Sequence, residues 1–451
     1  MKDLVPRLYY SYSQYVNKEK MIPSAIDGLI PVHRRLLLTL HLVAANKKVK
    51  TARVLGDLMG KFHPHELAIT PATWCVQNNL AIGSGNWGDP YGIEPEPAAA
   101  PRYTSMRANP FIEKIAFSLV DYVKWEESDL DPEPKVLPSM VPLCFIGVRD
   151  MSHMAFGFRT AFPVYNFEDL IKRLQGLLGV TKRNPTIVPK MHNCDILADK
   201  TVLNNLLSKP GKHLIEMKGK YDVDHSTNEI HIYGWPPRDN MKGISFQSIF
   251  NDINKYKKIK FFDNNLVGYI DNSDKDNPNK ITLRLLKQRN IGTLFTDLVE
   301  AVDKSLTVKV GYNIIVVNEE KQDTPFYSCV DEMLLNAHNF RKSILELFFK
   351  SEISRVENKI LECHIIKALR ENIKDIVDSC KYNVDKIVEY MVKKFKFNEA
   401  DVRRVMGRYS IAAMLNNQQP EIDDLKKEKS NLVNNLTNID EYMISEYKGI
   451  C

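Results

Sequence analysis

Residues 98–107 read AAAPRYTSMR, and the rest of the chain can be interpreted around the tyrosine within them. This residue, Tyr103, directly follows Arg102. A phenol is a weak nucleophile without help, but its ester with a phosphodiester is reversible because phenolate is a good leaving group. Arg102 would add a permanent charge where negative charge builds up during such an attack. Because most tyrosines are half-buried core residues, this interpretation depends on the segments that precede the pair.

The composition sets broad limits on the kind of protein. A length of 451 residues is enough for roughly three domains. The formal charge of +6 and the pI near 8.7 permit a polyanionic partner without requiring one. The seven cysteines include no Cys-x-x-Cys pair, which argues against a zinc site or a disulfide framework and fits a reducing compartment. The chain shows neither a signal peptide nor an apolar run of about 18 residues, so we expect a soluble, intracellular protein without a membrane contact.

The segment from residue 31 to residue 65 predicts two short helices with a basic surface. Apolar residues recur at helical spacing in 32–45 and again in 52–61, where Thr51 is a plausible N-cap. Two helices joined by a polar turn form a helix-turn-helix pattern. The segment has one acidic residue, Asp57, against seven basic ones, which indicates a phosphate-binding face rather than a mixed, solvated surface. The seven are Arg34, Arg35, Lys47, Lys48, Lys50, Arg53 and Lys61.

Three histidines and a glycine-rich loop complete this region. His33 lies with two arginines at the start of the first predicted helix. Cations are not stabilised by the helix dipole at this end, so their presence there suggests that they bind a phosphate. His63 and His65 flank a proline, and with no third ligand nearby they fit donors to a phosphate better than metal ligands. Residues 83–89, GSGNWGD, lack the lysine and the setting of a P-loop and favour a tight turn that positions the tyrosine segment.

Five motifs in this order resemble the breakage-reunion subunit of type IIA DNA topoisomerases, the family of the A subunits of gyrase and topoisomerase IV. They are DGLIPVHRR at 27–35, ARVLGD at 52–57, GKFHPH at 60–65, GNWG at 85–88 and AAAPRYT at 98–104. The resemblance implies that Tyr103 forms a 5′-phosphotyrosyl link to DNA and that Arg102 assists it. Together with the basic surface, it predicts a DNA-binding set of Lys20, His33, Arg34, Arg35, Lys50, Arg53, Lys61, His63, His65 and Met154.

Several positions depart from the family's pattern. Lys20 stands where an arginine that assists cleavage normally lies, and a lysine keeps the charge but loses the planar fork. Glu66 replaces a glycine. Ala68 and Ala72 stand at the serine and acidic positions that anchor quinolone drugs in the family, which predicts poor quinolone sensitivity.

The segment that follows the tyrosine predicts a helix, a linker and a DNA-bending element. Residues 114–125 read as an amphipathic helix, and residues 126–135 as an acidic linker that ends a domain. Met154 stands where the family has an isoleucine that separates base pairs and bends the DNA; a core methionine is the alternative.

The rest of the chain resembles the family in the order of its elements. Residues 165–320 alternate strand and helix signals, with strands expected at 229–237 and 280–286. Residues 330–377 lack proline and glycine and predict a helix of roughly 70 Å. A returning helix is expected at 425–439, with short helices at 384–415 broken at Gly407.

The predicted fold is therefore an α+β multidomain protein. We expect an N-terminal arm at 1–20, a winged-helix DNA-binding domain with the catalytic tyrosine at 21–135 and an α/β tower domain at 136–325. Residues 326–451 should form a long antiparallel coiled coil that ends in a helical dimer interface, the C-gate.

The resemblance implies one component of an ATP-dependent DNA topoisomerase, which cuts both strands of one duplex with paired tyrosines and passes a second duplex through the break. Mg²⁺ and ATP would be bound by a B-type partner in an A2B2 assembly, because this chain shows neither an ATP-binding loop nor an Asp-x-Asp cluster in the Rossmann-like setting that holds Mg²⁺ in the family. We expect relaxation and decatenation rather than supercoiling, since no β-rich wrapping domain is evident. A divergent or phage-encoded member would act at the nucleoid, or in the host cytoplasm.

Two alternatives stay open at this point. One is a non-catalytic DNA-binding scaffold that kept the fold and lost the cutting reaction. The other is a helix-turn-helix regulator with a coiled-coil dimer, which would need neither the Arg-Tyr pair nor the tower.

Overall fold

The computed structural model describes residues 4–64, 69–88, 96–128, 130–148, 150–190, 194–236, 246–274, 279–286, 291–318, 324–381, 383–408 and 422–450. It divides into two compact units, Met1–Arg341 with Cys451 and Lys342–Ile450. Within the described ranges, no helix combines the length and the apolar character needed to cross a membrane.

The first part of unit 1 is built around a central helix, α2, which contacts two further helices and a small sheet. Leu36, Leu37 and Leu40 bury the inner face of α2, and Pro31 occupies its first turn, where the missing N–H removes no hydrogen bond. Strands β1, β3 and β2 lie in this order and pair antiparallel. The elements are α1 (Leu4–Val16), a π-helical turn (Asn17–Met21), α2 (Pro31–Ala44), β1 (Val49–Lys50), α3 (Thr51–Lys61), α4 (Ile69–Gln77), β2 (Ala81–Ser84) and β3 (Ser105–Ala108).

The two predicted helices are confirmed by α2 and α3, but the predicted N-cap is wrong. Lys50 takes the N-cap position of α3 and makes no side-chain cap hydrogen bond, while Thr51 is the first helical residue. The Thr51 hydroxyl is buried and accepts a hydrogen bond from the Thr104 hydroxyl at 2.8 Å. A contact 53 positions away in the chain therefore replaces the local cap that the sequence suggested.

The helix predicted at 114–125 is also wrong in its bounds. The helical segment begins earlier, at Pro110, and runs as α5 (Pro110–Ile112) and a π-helical stretch (Glu113–Phe117). Asn109 caps it by accepting a hydrogen bond from the Phe111 N–H at 3.0 Å. The predicted linker contains a short hairpin of β4 (Trp125–Glu126) and β5 (Glu133–Pro134).

Two antiparallel sheets form the rest of unit 1. The five-stranded sheet has the order β6-β7-β14-β9-β8, and the four-stranded sheet has the order β10-β11-β13-β12. Their elements are β6 (Met151–Ala155), β7 (Phe158–Phe162), α6 (Phe167–Leu177), β8 (Cys194–Ile196), α7 (Lys200–Ser208), β9 (Lys212–Gly219), β10 (Tyr221–Asp224), β11 (Glu229–Ile232), α8 (Phe246–Lys255), β12 (Val267–Asp271), β13 (Ile281–Leu285), α9 (Ile291–Leu306) and β14 (Thr307–Asn313). A hairpin of β15 (Ile315–Val316) and β16 (Phe326–Tyr327) follows.

The two strands predicted from alternating patterns are confirmed, and the structure places them side by side. Strands β11 and β13 pair antiparallel, with Ile230 opposite Leu283. Both side chains are fully buried, and they share a core with Leu298 of α9. The alternation of the two segments therefore reflects one inward and one outward face.

Helix α10 (Val330–Glu371) has 42 residues and so extends about 63 Å at the normal helical rise. Its first residues belong to unit 1, where the fully buried Arg341 donates a hydrogen bond to the Pro138 carbonyl at 2.7 Å. The predicted long helix is confirmed, but it ends six residues before the predicted end, and α11 (Ile373–Cys380) begins after Asn372.

In unit 2 the returning segment runs antiparallel to α10. It consists of α14 (Ile422–Thr437) and α15 (Ile439–Lys448). Lys342 pairs with Asp440 at 2.7 Å, whereas Arg355, further along α10, pairs with the earlier residue Glu428 at 3.5 Å. This reversed order confirms the returning helix.

Two further helices, α12 (Val384–Phe395) and α13 (Glu399–Arg408), pack with α11 around buried Met391 and Val405. Helix α13 ends at Arg408, one residue after Gly407, where a break was predicted. Residues 409–415 of the predicted helical region lie outside the described residues.

Candidate functional site

Tyr103 lies on the protein surface in a short turn before strand β3. Tyr103 is 64% exposed, the highest value among the described tyrosines, although Tyr10 in the N-terminal arm is exposed to a similar degree. The Tyr103 N–H donates to the Ala100 carbonyl at 2.9 Å and closes the turn. The phenol oxygen is therefore carried by ordered backbone and is open to a large ligand.

The first turn of α3 holds the backbone on both sides of Tyr103. The N–H of Thr51 donates to the Thr104 carbonyl at 3.1 Å, and the N–H of Ala52 donates to the Pro101 carbonyl at 3.3 Å. These N–H groups have no partner within their own helix, so the tyrosine turn satisfies them. With the buried Thr51–Thr104 hydroxyl bond, three hydrogen bonds join this turn to the helix.

The glycine-rich loop packs against the other side of the tyrosine turn. Gly85 has a φ of +95°, and a Cβ at this position would lie 3.1 Å from the Tyr103 carbonyl oxygen. The Ala99 N–H donates to the Asn86 carbonyl at 3.0 Å. The loop therefore acts as a support for the tyrosine backbone, as the sequence indicated, and a side chain at Gly85 would disturb it.

Three exposed cations lie at the start of α3 or in the tyrosine turn. The Arg102 guanidinium stacks over the Tyr103 ring at 4.8 Å from its centroid. Lys50 is exposed and lies opposite Ser105 across the sheet. Arg53 is 70% exposed, and its ion pair with Asp57, at 3.8 Å, is long and weak. A phosphate beside Tyr103 would meet these charges and the positive end of the α3 dipole.

Arg34, predicted to hold a phosphate, instead has an internal partner. Its guanidinium donates to both carboxylate oxygens of Asp27, at 2.6 and 3.0 Å. Asp27 is fully buried and also accepts from the backbone N–H groups of Leu29 and Leu137, each at 2.9 Å. This ion pair ties the turn before α2 to residue 137, so we remove Arg34 from the DNA-binding set.

His33 is likewise a core residue. Its ring stacks on Trp74 with centroids 4.2 Å apart, and His153 lies 5.6 Å away. Burial lowers the pKa of His33 well below its usual value, with a further contribution from His153, and burial lowers the pKa of His153 to about 4. Among the described residues, neither His33 Nδ1 nor His153 Nε2 has a hydrogen-bond partner. A neutral, buried imidazole offers no charge to a phosphate, so the prediction for His33 is withdrawn as well.

The two buried imidazoles predict a pH-dependent stability. The pKa of each imidazole is lower in the folded state than its unfolded value near 6.5. The contribution of the two histidines to the unfolding free energy is therefore fully present above pH 6.5 and is lost as the pH falls towards 4. From pH 7 to pH 5, a His33→Gln variant should lose about 1–2 kcal/mol less unfolding free energy than the wild type. Urea unfolding followed by tryptophan fluorescence measures this difference.

One further group affects the comparison with the wild type. Burial raises the pKa of Asp150 to about 7. Its contribution to the unfolding free energy therefore increases as the pH falls from 7 to 5, opposite to that of the two histidines. It is present in both proteins and cancels in their difference. A variant of the exposed His225, His225→Gln, should match the wild type. Equal pH slopes for His33→Gln and His225→Gln would show that His33 does not titrate with unfolding.

Arg35 and His63 come together at a second position. Arg35 Nε lies 2.7 and 3.0 Å from the two Glu133 carboxylate oxygens, and its Nη1 lies 3.5 Å from His63 Nδ1. Glu133, on β5, was not identified from the sequence, because it follows Arg35 by 98 positions. In this structure the Glu133 carboxylate bonds to the guanidinium N–H groups of Arg35 that a phosphate would otherwise bind.

The remaining positions singled out from the sequence differ in their exposure, and three of them lie outside the described residues. Lys20 is exposed and lies 5.7 Å from the Tyr15 ring, and Lys61 is half-buried. Met154, on β6, is 59% exposed, which favours the wedge over a core role. Three positions, His65, Glu66 and Ala68, lie outside the described residues, while Ala72 is fully buried in α4.

The comparisons with known proteins identify the family of the chain. The sequence model of the family of DNA gyrase/topoisomerase IV A subunits matches residues 20–448. Because this match covers nearly all of the chain, the protein belongs to the family of type IIA DNA topoisomerase A subunits. Members of this family are parts of ATP-dependent enzymes that use Mg²⁺.

Individual relatives are distant. The chain is 25% identical to the DNA gyrase A subunit of Helicobacter pylori (strain J99) over 464 residues, covering 97% of this chain and 53% of that protein. It is 25% identical to the DNA topoisomerase 4 A subunit of Haemophilus influenzae over 459 residues, covering 96% of this chain and 59% of that protein. The chloroplastic/mitochondrial DNA gyrase A subunit of Arabidopsis thaliana is 30% identical over 240 residues, covering 48% of this chain and 24% of that protein. The chain thus spans little more than half the length of the two bacterial relatives.

Proposed function

We propose that this chain is the DNA cleavage and religation component of a type IIA topoisomerase. Tyr103 Oη attacks a DNA phosphorus, the bond from phosphorus to the 3′ oxygen breaks, and the tyrosine proton ends on the released 3′ hydroxyl. Attack by that hydroxyl on the phosphotyrosine reverses the step and reseals the strand. The observation that supports this most directly is the exposed phenol on a turn fixed by α3 and by the Gly85 loop.

The proposed DNA-binding set is smaller than the set predicted from the sequence. Arg102 lies beside the reacting phenol and would stabilise the charge on the phosphate in the transition state. Arg35 and His63 would bind a flanking phosphate if it displaces Glu133, and Met154 would act as the wedge. Lys20, Lys50, Arg53 and Lys61 remain as further phosphate contacts, and His65 remains a prediction.

The partners follow from the proposed reaction. Two copies of the chain would place one tyrosine on each strand, joined through the helical part of unit 2. A B-type partner would supply ATP hydrolysis and bind Mg²⁺. The described residues contain no group of three or more His, Cys, Asp or Glu side chains that could hold a metal ion, and no step proposed for this chain uses one.

A strand-passage assay tests the proposed function. The chain, mixed with its B-type partner and ATP, should relax supercoiled plasmid in even steps of linking number and separate interlinked circles. Relaxation without introduction of negative supercoils is the more specific expectation, and relaxed plasmid as the substrate tests it. A DNA-binding scaffold would shift DNA in a gel but leave the linking number unchanged, and this result would reject the proposed activity.

A further inference from the structure

The π-helical turn of the N-terminal arm is fastened to the tip of the hairpin that carries Met154. The Asn17 side chain donates from Nδ2 to the Phe156 carbonyl at 2.9 Å, and its Oδ1 accepts from the Phe156 N–H at 2.8 Å. Only one orientation of the amide satisfies both bonds, so the pairing fixes that orientation. Asn17 is 1% exposed, and an unpaired amide at this position would be costly.

The hairpin needs such an external support. Ala155 pairs with Phe158, so Phe156 and Gly157 form a two-residue turn. Of these two residues, only Gly157 has a positive φ, +79°, which is the pattern of a type II turn. Two-residue hairpins normally use turns with a positive φ at the first position, because those turns match the twist of the strands. Phe156 is the residue at the first position, and the Asn17 amide bonds to both its N–H and its carbonyl group.

The aromatic residues of α1 add a second contact to the same tip. The rings of Tyr9 and Tyr12 meet the Phe156 ring edge-on, at centroid distances of 5.8 and 6.1 Å. Met154 lies two residues before Phe156 on β6 and opposite Arg159 on β7. Its position is therefore set by the sheet on one side and by the arm on the other.

We propose that the arm is a clamp for the DNA wedge and that Asn17 is a positioning residue that acts through Met154. This inference rests on the proposed function, because it assigns a task to the wedge of the same reaction. A wedge must keep its geometry while it unstacks a base step. If the hairpin were mobile, part of the DNA-binding free energy would be lost in ordering it, and less would remain to bend the DNA. Asn17 should therefore affect the bending of stiff DNA and affect DNA that is already flexible much less.

The test uses the full chain with its B-type partner and two duplexes that share a cleavage site, one intact and one with a single-nucleotide gap at its centre. Bending is measured by energy transfer between end labels, and cleavage by trapped covalent complex. Asn17→Ala and Asn17→Asp should lower the bent fraction and the cleavage of the intact duplex about tenfold, equivalent to about 1.4 kcal/mol. On the gapped duplex, both variants should come within about twofold of the wild type, because the bend there costs little.

Ser13→Ala is the matched control. Ser13 is buried in the same arm, but its hydroxyl bonds only to the Tyr9 and Tyr10 carbonyls in the described structure, so this variant should behave as the wild type on both duplexes. An equal defect of the Asn17 variants on the two duplexes would reduce Asn17 to a folding role and overturn the clamp. Wild-type bending on intact DNA by these variants would overturn it as well.

Met154→Ala separates failure of the clamp from failure of the proposed function. If this variant loses bending while the Asn17 variants keep it, the wedge stands and the clamp is rejected. If the wild type itself forms no covalent complex, the proposed function is rejected. Bending by the wild type that does not depend on Met154 would overturn the clamp together with the wedge.

Discussion

Tyr103→Phe should abolish the covalent link between this chain and DNA while DNA binding stays close to that of the wild type. The substitution removes only the phenol oxygen and keeps the ring on which Arg102 stacks at 4.8 Å. The backbone bonds that hold the turn come from Thr51 and Ala52 and do not involve the Tyr103 side chain. Loss of a nucleophile lowers the rate by about 10⁴-fold or more, so no adduct should be detectable above background.

This prediction is checked by denaturing a mixture of holoenzyme and labelled duplex and measuring the label that stays with the protein. Tyr269→Phe is a suitable control, because Tyr269 is 50% exposed on β12 and has no part in the proposed reaction. It should form the adduct as the wild type does. An adduct that survives in Tyr103→Phe would place the nucleophile elsewhere in the chain.

Asp27→Asn should produce a larger loss of stability than any other substitution proposed for this protein. The substitution leaves the Arg34 guanidinium buried without a full counter-charge, and breaking a buried ion pair typically costs about 3–5 kcal/mol. Two backbone N–H groups, of Leu29 and Leu137, also bond to the same carboxylate and would lose its charge. Urea unfolding at pH 7 should show the loss as a lower transition midpoint.

Two controls distinguish the loss of a buried ion pair from the loss of an exposed one. Glu126→Gln removes an exposed pair with Lys135, at 2.7 Å, and should change the unfolding free energy by less than about 1 kcal/mol. The double variant Asp27→Asn with Arg34→Met should recover part of the loss, because it removes the uncompensated cation. If Asp27→Asn costs no more than Glu126→Gln, the buried pair does not have the structural role assigned to it.

Features encoded by neighbouring residues could be predicted from the sequence. Helices α2 and α3, the two alternating strands and the long α10 all follow from periodicity, which is a local property. The tyrosine segment could be singled out because four recognisable motifs precede the Arg102–Tyr103 pair in a fixed order. The motif that contains Asp27 and Arg34 is also recognisable from the sequence. Its arginine was nevertheless interpreted as a phosphate ligand, although it forms an ion pair with Asp27 only seven positions away.

The features that could not be predicted depend on contacts between distant segments. Thr104 meets Thr51 across 53 positions, Glu133 reaches Arg35 across 98, and Asn17 bonds to Phe156 across 139. Composition placed His33 in a basic cluster, but its stacking on Trp74 is set by how α2 and α4 pack. Charge density alone therefore overestimated the phosphate-binding surface, because it does not show which cations already have an internal partner.

The most direct test of the central claim is to find the residue that carries the DNA. The wild-type holoenzyme is incubated with duplex, denatured and digested with nuclease and protease, and the modified peptide is sequenced by mass spectrometry. We expect a nucleotide attached through its 5′ phosphate to the phenol oxygen of Tyr103. A nucleotide on any other side chain, or a 3′ linkage, would contradict the proposed reaction.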